Sequence, residues 1–270
     1  MRKVKLTLAY DGTEFAGFQV QPNVRTVQGE LMSALDTILG EKVKLIAAGR
    51  TDTGVHARGQ VVSFRTATSI PTDRLPAALN SVLPRDMAVW QAEDVPADFH
   101  ARHHATAKIY RYLLYLGRTP APFIRHYSWR LFWAMDVKAM QEAAAELVGK
   151  HDFTAFCAAG SPVKNKVRTM QRIHIVSDRD LVLIEAVADG FLYKMMRSIV
   201  GTLVKVGRGV LTPEDVRDIL AQNDRPRVGP TAPPQGLILW QVVYDNLTAP
   251  EDTPGSIGLT LPWGYVKISL

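Results

Sequence analysis

Residues 43–64 have the sequence VKLIAAGRTDTGVHARGQVVSF, in which a polar stretch separates two apolar runs. The runs Val43–Ala48 and Gln60–Phe64 have the composition of short strands. The stretch between them, Gly49–Gly59, is therefore predicted to be a loop held by a strand at each end. It carries one carboxylate, Asp52. An isolated Asp-x-Gly sequence predicts only an Asx-turn, whereas a carboxylate on a rigid frame can also be a reactive group.

The first half of the chain has the element order of a ferredoxin-like unit, β-α-β-β-α-β. One helix in it, Val27–Leu39, repeats apolar residues on one face. Thr26 is its predicted N-cap, and Gly40 follows its end. The other predicted elements of this half are strands at Lys3–Tyr10, Val43–Ala48, Gln60–Phe64 and Met87–Asp94, and a helix at about Asp73–Val82.

The second half predicts the same order, with one helix added before the last strand. Its two central strands are joined by a short turn at Ser177–Asp180, where the first half has the Gly49–Gly59 loop. A long loop in place of a tight turn indicates an added function. The predicted strands are Ile109–Leu116, Met170–Val176, Leu181–Ala188 and Leu237–Tyr244, and the helices are Val137–Val148, Phe191–Val206 and Pro213–Gln222.

The two halves together predict an α+β fold. Two ferredoxin-like units are expected to share one mostly antiparallel sheet, with helices on one side and a basic central cleft. We expect one unit at residues 1–105, carrying the loop, and the other at 106–247. Residues 248–270 form a C-terminal extension of unassigned role, in which a linker precedes an apolar segment, Gly258–Leu270, that is expected to form a strand or to dock on the body.

Composition places the chain among ordinary globular proteins. Of its 270 residues, 47% are hydrophobic, which is enough to build real cores. The longest apolar stretches, such as Leu181–Val187, are too short to cross a bilayer, and Met1–Tyr10 lacks the apolar core of a signal peptide. The single cysteine, Cys157, cannot form an internal disulfide. These features favour a cytoplasmic protein.

The net charge of +6 is concentrated in two segments that contain no acidic residue. Because a solvated surface normally mixes both signs of charge, two acid-free segments predict a surface that meets phosphates. The first segment, Phe99–Met135, contains Arg102, Lys108, Arg111, Arg118, Arg125 and Arg130, and the second, Phe153–Ser177, contains Lys164, Lys166, Arg168 and Arg172.

Several blocks along the chain, taken in order, resemble the TruA family of tRNA pseudouridine synthases. The resemblance covers residues 1 to about 245. An ordered series of blocks is far more specific than one motif. The blocks are Tyr10–Thr13, Gln21–Gly29, Gly49–His56, Phe99–Arg102, Lys108–Tyr112, His151–Phe156, Gly190–Arg197 and Pro234–Leu237.

This resemblance implies a homodimeric enzyme that isomerises uridine to pseudouridine at positions 38, 39 and 40 of the tRNA anticodon stem-loop, without cofactor or metal. Asp52 matches the family's nucleophile, and its attack on ribose C1′ and its attack on uracil C6 both remain open. Since a desolvated carboxylate tends to take up a proton, a cationic partner is expected, and Arg197 is the candidate.

Other residues match positions that bind the substrate. Tyr110 corresponds to a tyrosine that contacts the target base, and Lys108 and Arg111 beside it are expected to meet neighbouring phosphates. Arg50 matches an arginine that contacts RNA or fills the space left by the flipped base. Leu237 matches an apolar residue near the uracil, although an ordinary strand leucine fits that position almost equally well.

Three alternatives belong to other classes. A retaining glycosidase needs a second carboxyl group about 5 to 5.5 Å from the first, and the loop offers none. A noncatalytic protein that binds structured RNA explains the charge but does not require Asp52. A metal hydrolase built on His100, His103 and His104 lacks a nearby acid or cysteine to complete its site. Within the synthase class, RNA uridines other than 38–40 are the alternative substrate.

Overall fold

The computed structural model describes residues 1–244 together with the backbone of residues 256–261 and 264–269. The described chain is α+β, as predicted, with mostly antiparallel strand pairing. In chain order its helices and strands are β1 (Arg2–Tyr10), α1 (Val27–Leu39), β2 (Ile46–Ala47), β3 (His56–Thr66), α2 (Leu75–Asn80), β4 (Met87–Val95), β5 (Ala107–Tyr115), β6 (Trp129–Arg130), α3 (Val137–Ala145), β7 (Gly149–Asp152), β8 (Val167–Asp178), β9 (Leu181–Ala188), α4 (Met195–Gly207), α5 (Pro213–Gln222), β10 (Leu237–Val243), β11 (Ser256–Leu261) and β12 (Gly264–Ser269).

The first compact unit comprises Met1–Lys108 and Ile238–Tyr244. Its strands lie in the order β4-β1-β3-β10, and β2 also pairs with β3. The pairs β1–β3, β1–β4 and β2–β3 are antiparallel, which gives the strand arrangement of a ferredoxin-like unit. The addition is β10, which pairs in parallel with the start of β3.

The core of this unit follows from the alternation of residues along β1. Val4, Leu6 and Leu8 are fully buried, because successive strand residues point to opposite faces of a sheet. Buried leucines of α1 and α2 complete this core. Each such side chain contributes about 1.5–3 kcal/mol on leaving water. Helix α1 has the predicted caps, since Thr26 Oγ1 accepts a hydrogen bond from Gly29 N and Gly40 adopts a left-handed φ of 65°.

The second compact unit contains Ile109–Leu237. Its strands lie in the order β5-β9-β8-β7, with β6 in parallel beside β5. Helix α4 carries a dense run of buried residues, including Ile199 and Leu203. Helix α5 has the predicted cap, in which Thr212 Oγ1 accepts from Asp215 N and the Asp215 carboxylate accepts from Thr212 N.

Some predicted boundaries are wrong where long-range pairing decides them. Of the predicted strand Val43–Ala48 only Ile46–Ala47 pairs, and β3 starts at His56 instead of Gln60. At this early start His56 pairs only with β10, which lies far along the chain, and Ala57 pairs with β10 and, across a bulge, with Tyr10 of β1. The loop between β2 and β3 is therefore residues 48–55.

Helix α3 ends at Ala145 instead of Val148, and two further helices differ from prediction. Helix α4 begins at Met195, four residues later than expected, because Lys194 adopts a left-handed φ of 57° that no helix continues through. The predicted helix at Asp73–Val82 begins as a 3₁₀ turn at Thr72–Arg74 and continues as α2 only to Asn80. None of these changes moves an element to another part of the unit.

The predicted linker that begins at residue 248 lies outside the described residues. In the predicted apolar segment, the backbones of β11 and β12 form an antiparallel pair. No helix in the described part of the chain is long and apolar enough to cross a membrane.

Candidate active site

Asp52 lies near the middle of the loop at residues 48–55, immediately before a turn. The turn is closed by a hydrogen bond from Val55 N to Asp52 O of 3.1 Å. Gly54 has a φ of 76°, which favours glycine at this position. Asp52 itself is partly exposed, whereas its neighbour Thr51 is buried. The loop thus holds the Asp52 carboxylate near the surface, next to a buried residue.

Buried polar side chains that are linked by hydrogen bonds support the loop. Thr51 Oγ1 lies 2.8 Å from the hydroxyl of Tyr10. Gln60 Nε2 donates to the Tyr10 hydroxyl at 3.4 Å and to Gly49 O at 3.0 Å. Burial raises the pKa of Tyr10 to about 12, so its phenol keeps its proton and remains a hydrogen-bond donor. These hydrogen bonds therefore fix the backbone that leads to Asp52.

Sequence alone did not identify Tyr10, Thr51 and Gln60 as functional. The sequence did place polar residues where burial was expected. Gln60 begins one predicted strand, and Tyr10 ends another. A buried polar side chain requires partners. The identity of those partners depends on the pairing of β1 with β3, which the sequence gives only in outline.

The segment after β1 packs directly against the loop. Phe18 N donates to Thr51 O at 3.1 Å, and Gly54 N donates to Phe15 O at 3.4 Å. A Cβ atom on Gly12 would lie 2.1 Å from the carbonyl oxygen of Val55, so only glycine fits there. The loop is therefore supported by backbone contacts from a second part of the chain.

Arg25 holds this supporting segment in place. Its guanidinium makes two hydrogen bonds to Asp86, at 2.6 and 2.8 Å, and one to Glu30 at 2.9 Å. The same guanidinium lies 4.2 Å from the ring centre of Phe15. The hydrogen bonds to Asp86 raise the pKa of Arg25 above its usual value. The bidentate ion pair of Arg25 with Asp86 thus fixes Phe15, the residue that the loop contacts.

The two basic residues beside Tyr110 make contacts within the protein. Arg111 is only 3% exposed, and its Nη2 lies 2.7 Å from Glu185 Oε2. The expectation that it meets phosphates is wrong, because a buried, paired guanidinium cannot reach RNA. Lys108 Nζ donates to Ala48 O at 2.8 Å, which adds another support to the Asp52 loop.

Three predicted site residues lie in or beside the second unit's core. Tyr110 is 8% exposed, and its ring packs edge-to-face with Phe191 at 4.8 Å. Arg197 is partly exposed on α4, where its Nε donates to Ala232 O at 2.7 Å. Ala232 N donates back to Arg197 O at 3.0 Å. Leu237 is 6% exposed.

A packed segment that ends at Leu237 connects these residues to Tyr112. The Tyr112 hydroxyl donates to Pro233 O at 2.7 Å, and a Cβ atom on Gly236 would lie 2.5 Å from the tyrosine ring. Burial raises the pKa of Tyr112, and the charge of Arg197 partly opposes that rise. Tyr112 is therefore a core tyrosine that supports residues 232–237. Arg197 binds the first residue of this segment, and Leu237 is its last.

Among the remaining candidates, Arg50 is exposed in the Asp52 loop. The predicted histidine cluster brings the rings of His100 and His103 to 4.2 Å. Within the part of the chain that the structure describes, no group of three His, Cys, Asp or Glu side chains could hold a metal ion. Five of the arginine and lysine side chains of the basic segments are exposed, namely Arg102, Arg118, Arg125, Lys164 and Arg172.

The sequence matches a family described as tRNA pseudouridine synthase over residues 7–104 and 143–245. The tRNA pseudouridine synthase A of Moorella thermoacetica is 52% identical, over 89% of this chain and 99% of that protein. The enzymes of the same name from Halalkalibacterium halodurans and Bacillus subtilis are 50% and 46% identical, over 88% and 90% of this chain and 91% and 100% of theirs. Among solved structures, an archaeal box H/ACA sRNP Nop10-Cbf5 complex aligns with 83% of this chain and 60% of that chain, at a TM-score of 0.33 and 14% identity.

Proposed function

Since this chain belongs to the tRNA pseudouridine synthase A family, we propose that it isomerises uridines 38, 39 and 40 of the tRNA anticodon stem-loop, with Asp52 as its nucleophile. The observation that carries this proposal is the placement of Asp52. Its carboxylate stands on a loop whose backbone is fixed by Tyr10, Thr51 and Gln60. A nucleophile must be held accurately while remaining open to a large substrate.

The reaction moves one bond between two atoms of the same base. The bond from uracil N1 to ribose C1′ breaks, and a bond from C5 to C1′ forms. The proton on C5 leaves, and N1 ends with a proton, so no oxidant or reductant is required. Asp52 supports this exchange by bonding transiently to either C1′ or C6, and its carboxylate is released unchanged at the end.

The substrate-binding roles follow the chemistry of each side chain. Arg50, exposed beside Asp52, contacts RNA or fills the space that the flipped base leaves. Tyr110 contacts the extruded base, and stacking on an aromatic ring is worth about 1–3 kcal/mol per base. Arg197 offers a guanidinium that can hold a carboxylate or phosphate in two hydrogen bonds, and Leu237 offers an apolar contact for the uracil.

The setting of the reaction is also part of the proposal. A cytoplasmic homodimer fits a tRNA substrate large enough to contact both subunits. The exposed arginines and lysines of the two basic segments would meet its phosphates and fix its orientation. The target uridine leaves its stack before the chemistry, because the reacting atoms are inaccessible in a paired stem.

The test is site-resolved detection of pseudouridine on unmodified tRNA transcripts, incubated with the protein alone in the presence of a chelator. We expect product at positions 38–40 wherever a uridine stands there. A matched transcript with cytidines at these three positions serves as the control and should remain unmodified. Product at other uridines would overturn the assignment of position, and the absence of any product on every transcript would overturn the activity.

A further inference from the structure

The first unit contains an open pocket of about 450 Å³ that lies on one face of its sheet. The pocket is separate from the loop at residues 48–55. Its residues come from β1, β3, β4 and β10, or directly follow β10. The side chains that matter here are Lys5, Arg58, Trp90, Gln91, Trp240 and Tyr244.

Arg58 lies between two tryptophans in this pocket. Its guanidinium carbon is 5.0 Å from the ring centre of Trp90 and 4.6 Å from that of Trp240. Trp240 is 9% exposed, so it forms the base of the cluster. Trp90 is 51% exposed, which is unusual for so large an apolar side chain on a strand. The stack therefore ends in an aromatic surface that is open to solvent.

A β-bulge accounts for the direction of Trp90. In the pairing of β1 with β4, Thr7 faces Gln91 and Leu8 faces Val89, so Trp90 is the extra residue between them. A bulge turns a side chain out of the ordinary alternation of a strand. Bulges are common beside functional sites. Here the bulge adds an indole to a sheet face that already carries Arg58.

The same face carries an excess of positive charge. Lys3 pairs in register with Arg65, and Lys5 with Ser63, so both lysines lie on the side of the sheet that carries Thr7. The two lysines and Arg58 bring three positive charges to this face, and the carboxylate of Glu93 offsets one of them. Its Oε2 lies 2.5 Å from Lys5 Nζ. Aromatic side chains interleaved with cations match the chemistry of an unpaired nucleotide, which has a flat base and a phosphate.

We propose that this face is a second RNA contact, in which an unpaired nucleotide of the substrate stacks on Trp90 while its phosphate lies against the lysines and Arg58. This proposal rests on the proposed function, since it takes the RNA to be the same molecule whose uridine reaches Asp52. Arg58 is six residues beyond Asp52 in the chain. Six residues of extended chain span at most about 20 Å, so a few nucleotides can connect the two sites.

The first test is RNA affinity. The dissociation constant of an unmodified tRNA transcript would be measured for the native protein and for Trp90→Ala, Trp90→Phe and Trp133→Ala. Trp133 is the matched control, because it is 47% exposed and lies 4.2 Å under Arg208, but belongs to the second unit. We expect Trp90→Ala to weaken binding by roughly tenfold. Trp90→Phe should restore most of that loss. Trp133 lies within the first basic segment, and Trp133→Ala should weaken binding clearly less than Trp90→Ala does.

The second test is photocrosslinking of the same transcript carrying 5-bromouridine, with the attached peptide identified by mass spectrometry. A crosslink at Trp90 supports the proposal. Native affinity in Trp90→Ala, or equal weakening by Trp90→Ala and Trp133→Ala, would overturn it. Both tests report binding alone, so they stand even if the native protein forms no pseudouridine, and a synthase with unaltered affinity in Trp90→Ala would refute this site only.

Discussion

Asp52 is positioned by neighbours that are polar and buried, and the protonation of these neighbours affects stability. The Tyr10 hydroxyl lies within hydrogen-bonding distance of Thr51 Oγ1 and Gln60 Nε2. In this environment the phenolate form is strongly disfavoured, because burial removes the water that would solvate its charge. A neutral phenol thus remains part of the loop's support across the ordinary pH range.

This environment predicts how stability depends on alkaline pH. The pKa of Tyr10 rises from the ordinary tyrosine value of 10.0 to about 12 in the fold, so the folded state keeps a proton that the unfolded chain releases. Its contribution is present below pH 10 and is lost as the pH rises towards 12. Between pH 9 and pH 11 the native protein should lose about 1 kcal/mol more unfolding free energy than Tyr10→Phe. Urea unfolding at each pH measures this, and parallel curves for the two proteins would contradict it.

At the same scale, the sequence singled out Asp52 as the candidate nucleophile but not the side chains that support its loop. The Asp52 loop stood out as a polar interruption between apolar runs and through its resemblance to a known family. Tyr10, Thr51 and Gln60 acquire their partners only when β1 and β3 are paired in register. Arg111 was misjudged for a related reason, since its ion pair with Glu185 joins residues 74 positions apart.

At the scale of elements, the loop depends on a close backbone contact with the segment after β1. Gly12 allows that contact, because any side chain there would collide with the carbonyl oxygen of Val55. Because the two backbones lie so close together, a side chain added at Gly12 would displace the loop. The glycine therefore matters to the site through the position of the loop.

Gly12→Ala should reduce kcat/KM by at least about tenfold and lower the unfolding free energy by about 1–3 kcal/mol, as overpacking does. Gly40→Ala is the matched control. Gly40 has a φ of 65° and open space around it, so alanine there costs about 1–2 kcal/mol of backbone strain. The control should lose stability without losing kcat/KM. An equal loss of activity in both variants would show that stability alone explains the effect of Gly12→Ala.

Elements whose ends are set locally were predicted to the residue. Helix α1 has its side-chain cap and its left-handed glycine within the chain segment itself, and α5 has a complete capping box. Strand β9 was also predicted with the correct limits. The start of β3 was not, because it depends on a parallel partner, β10, that lies far away in sequence. Helix ends marked by a side-chain cap or a left-handed glycine can be predicted locally, whereas the start of α4, which has no side-chain cap, and the start of β3 could not.

For the whole molecule, the distribution of charge predicts how a tRNA would be held. The net charge is +6, and the basic segments contain five exposed arginine or lysine side chains. Phosphate contacts release counterions from RNA, so binding that depends on them weakens steeply with salt. The proposed stacking on Trp90 adds a contact of a different kind, since stacking depends less on ionic strength than phosphate contacts do.

Affinity for tRNA should therefore fall by roughly a hundredfold or more between 50 and 200 mM salt, because each of about five phosphate contacts releases counterions. A titration of labelled tRNA at several salt concentrations measures the slope. Arg102→Gln, which removes one exposed charge from the first basic segment, should make the slope shallower by about one unit. A flat salt response of the native protein would exclude a phosphate-led interface.

Asp52 is the proposed nucleophile, and the rate of pseudouridine formation under single-turnover conditions tests that role most directly. Native protein, Asp52→Asn and Asp73→Asn would be compared on one unmodified tRNA. Asp73 supplies the control, because its side chain is 79% exposed and its substitution removes the same charge. We expect Asp52→Asn to bind tRNA at least as tightly as the native protein while losing roughly a thousandfold or more in rate, about 4 kcal/mol of barrier. A rate for Asp52→Asn within about tenfold of the native rate would contradict its role as nucleophile.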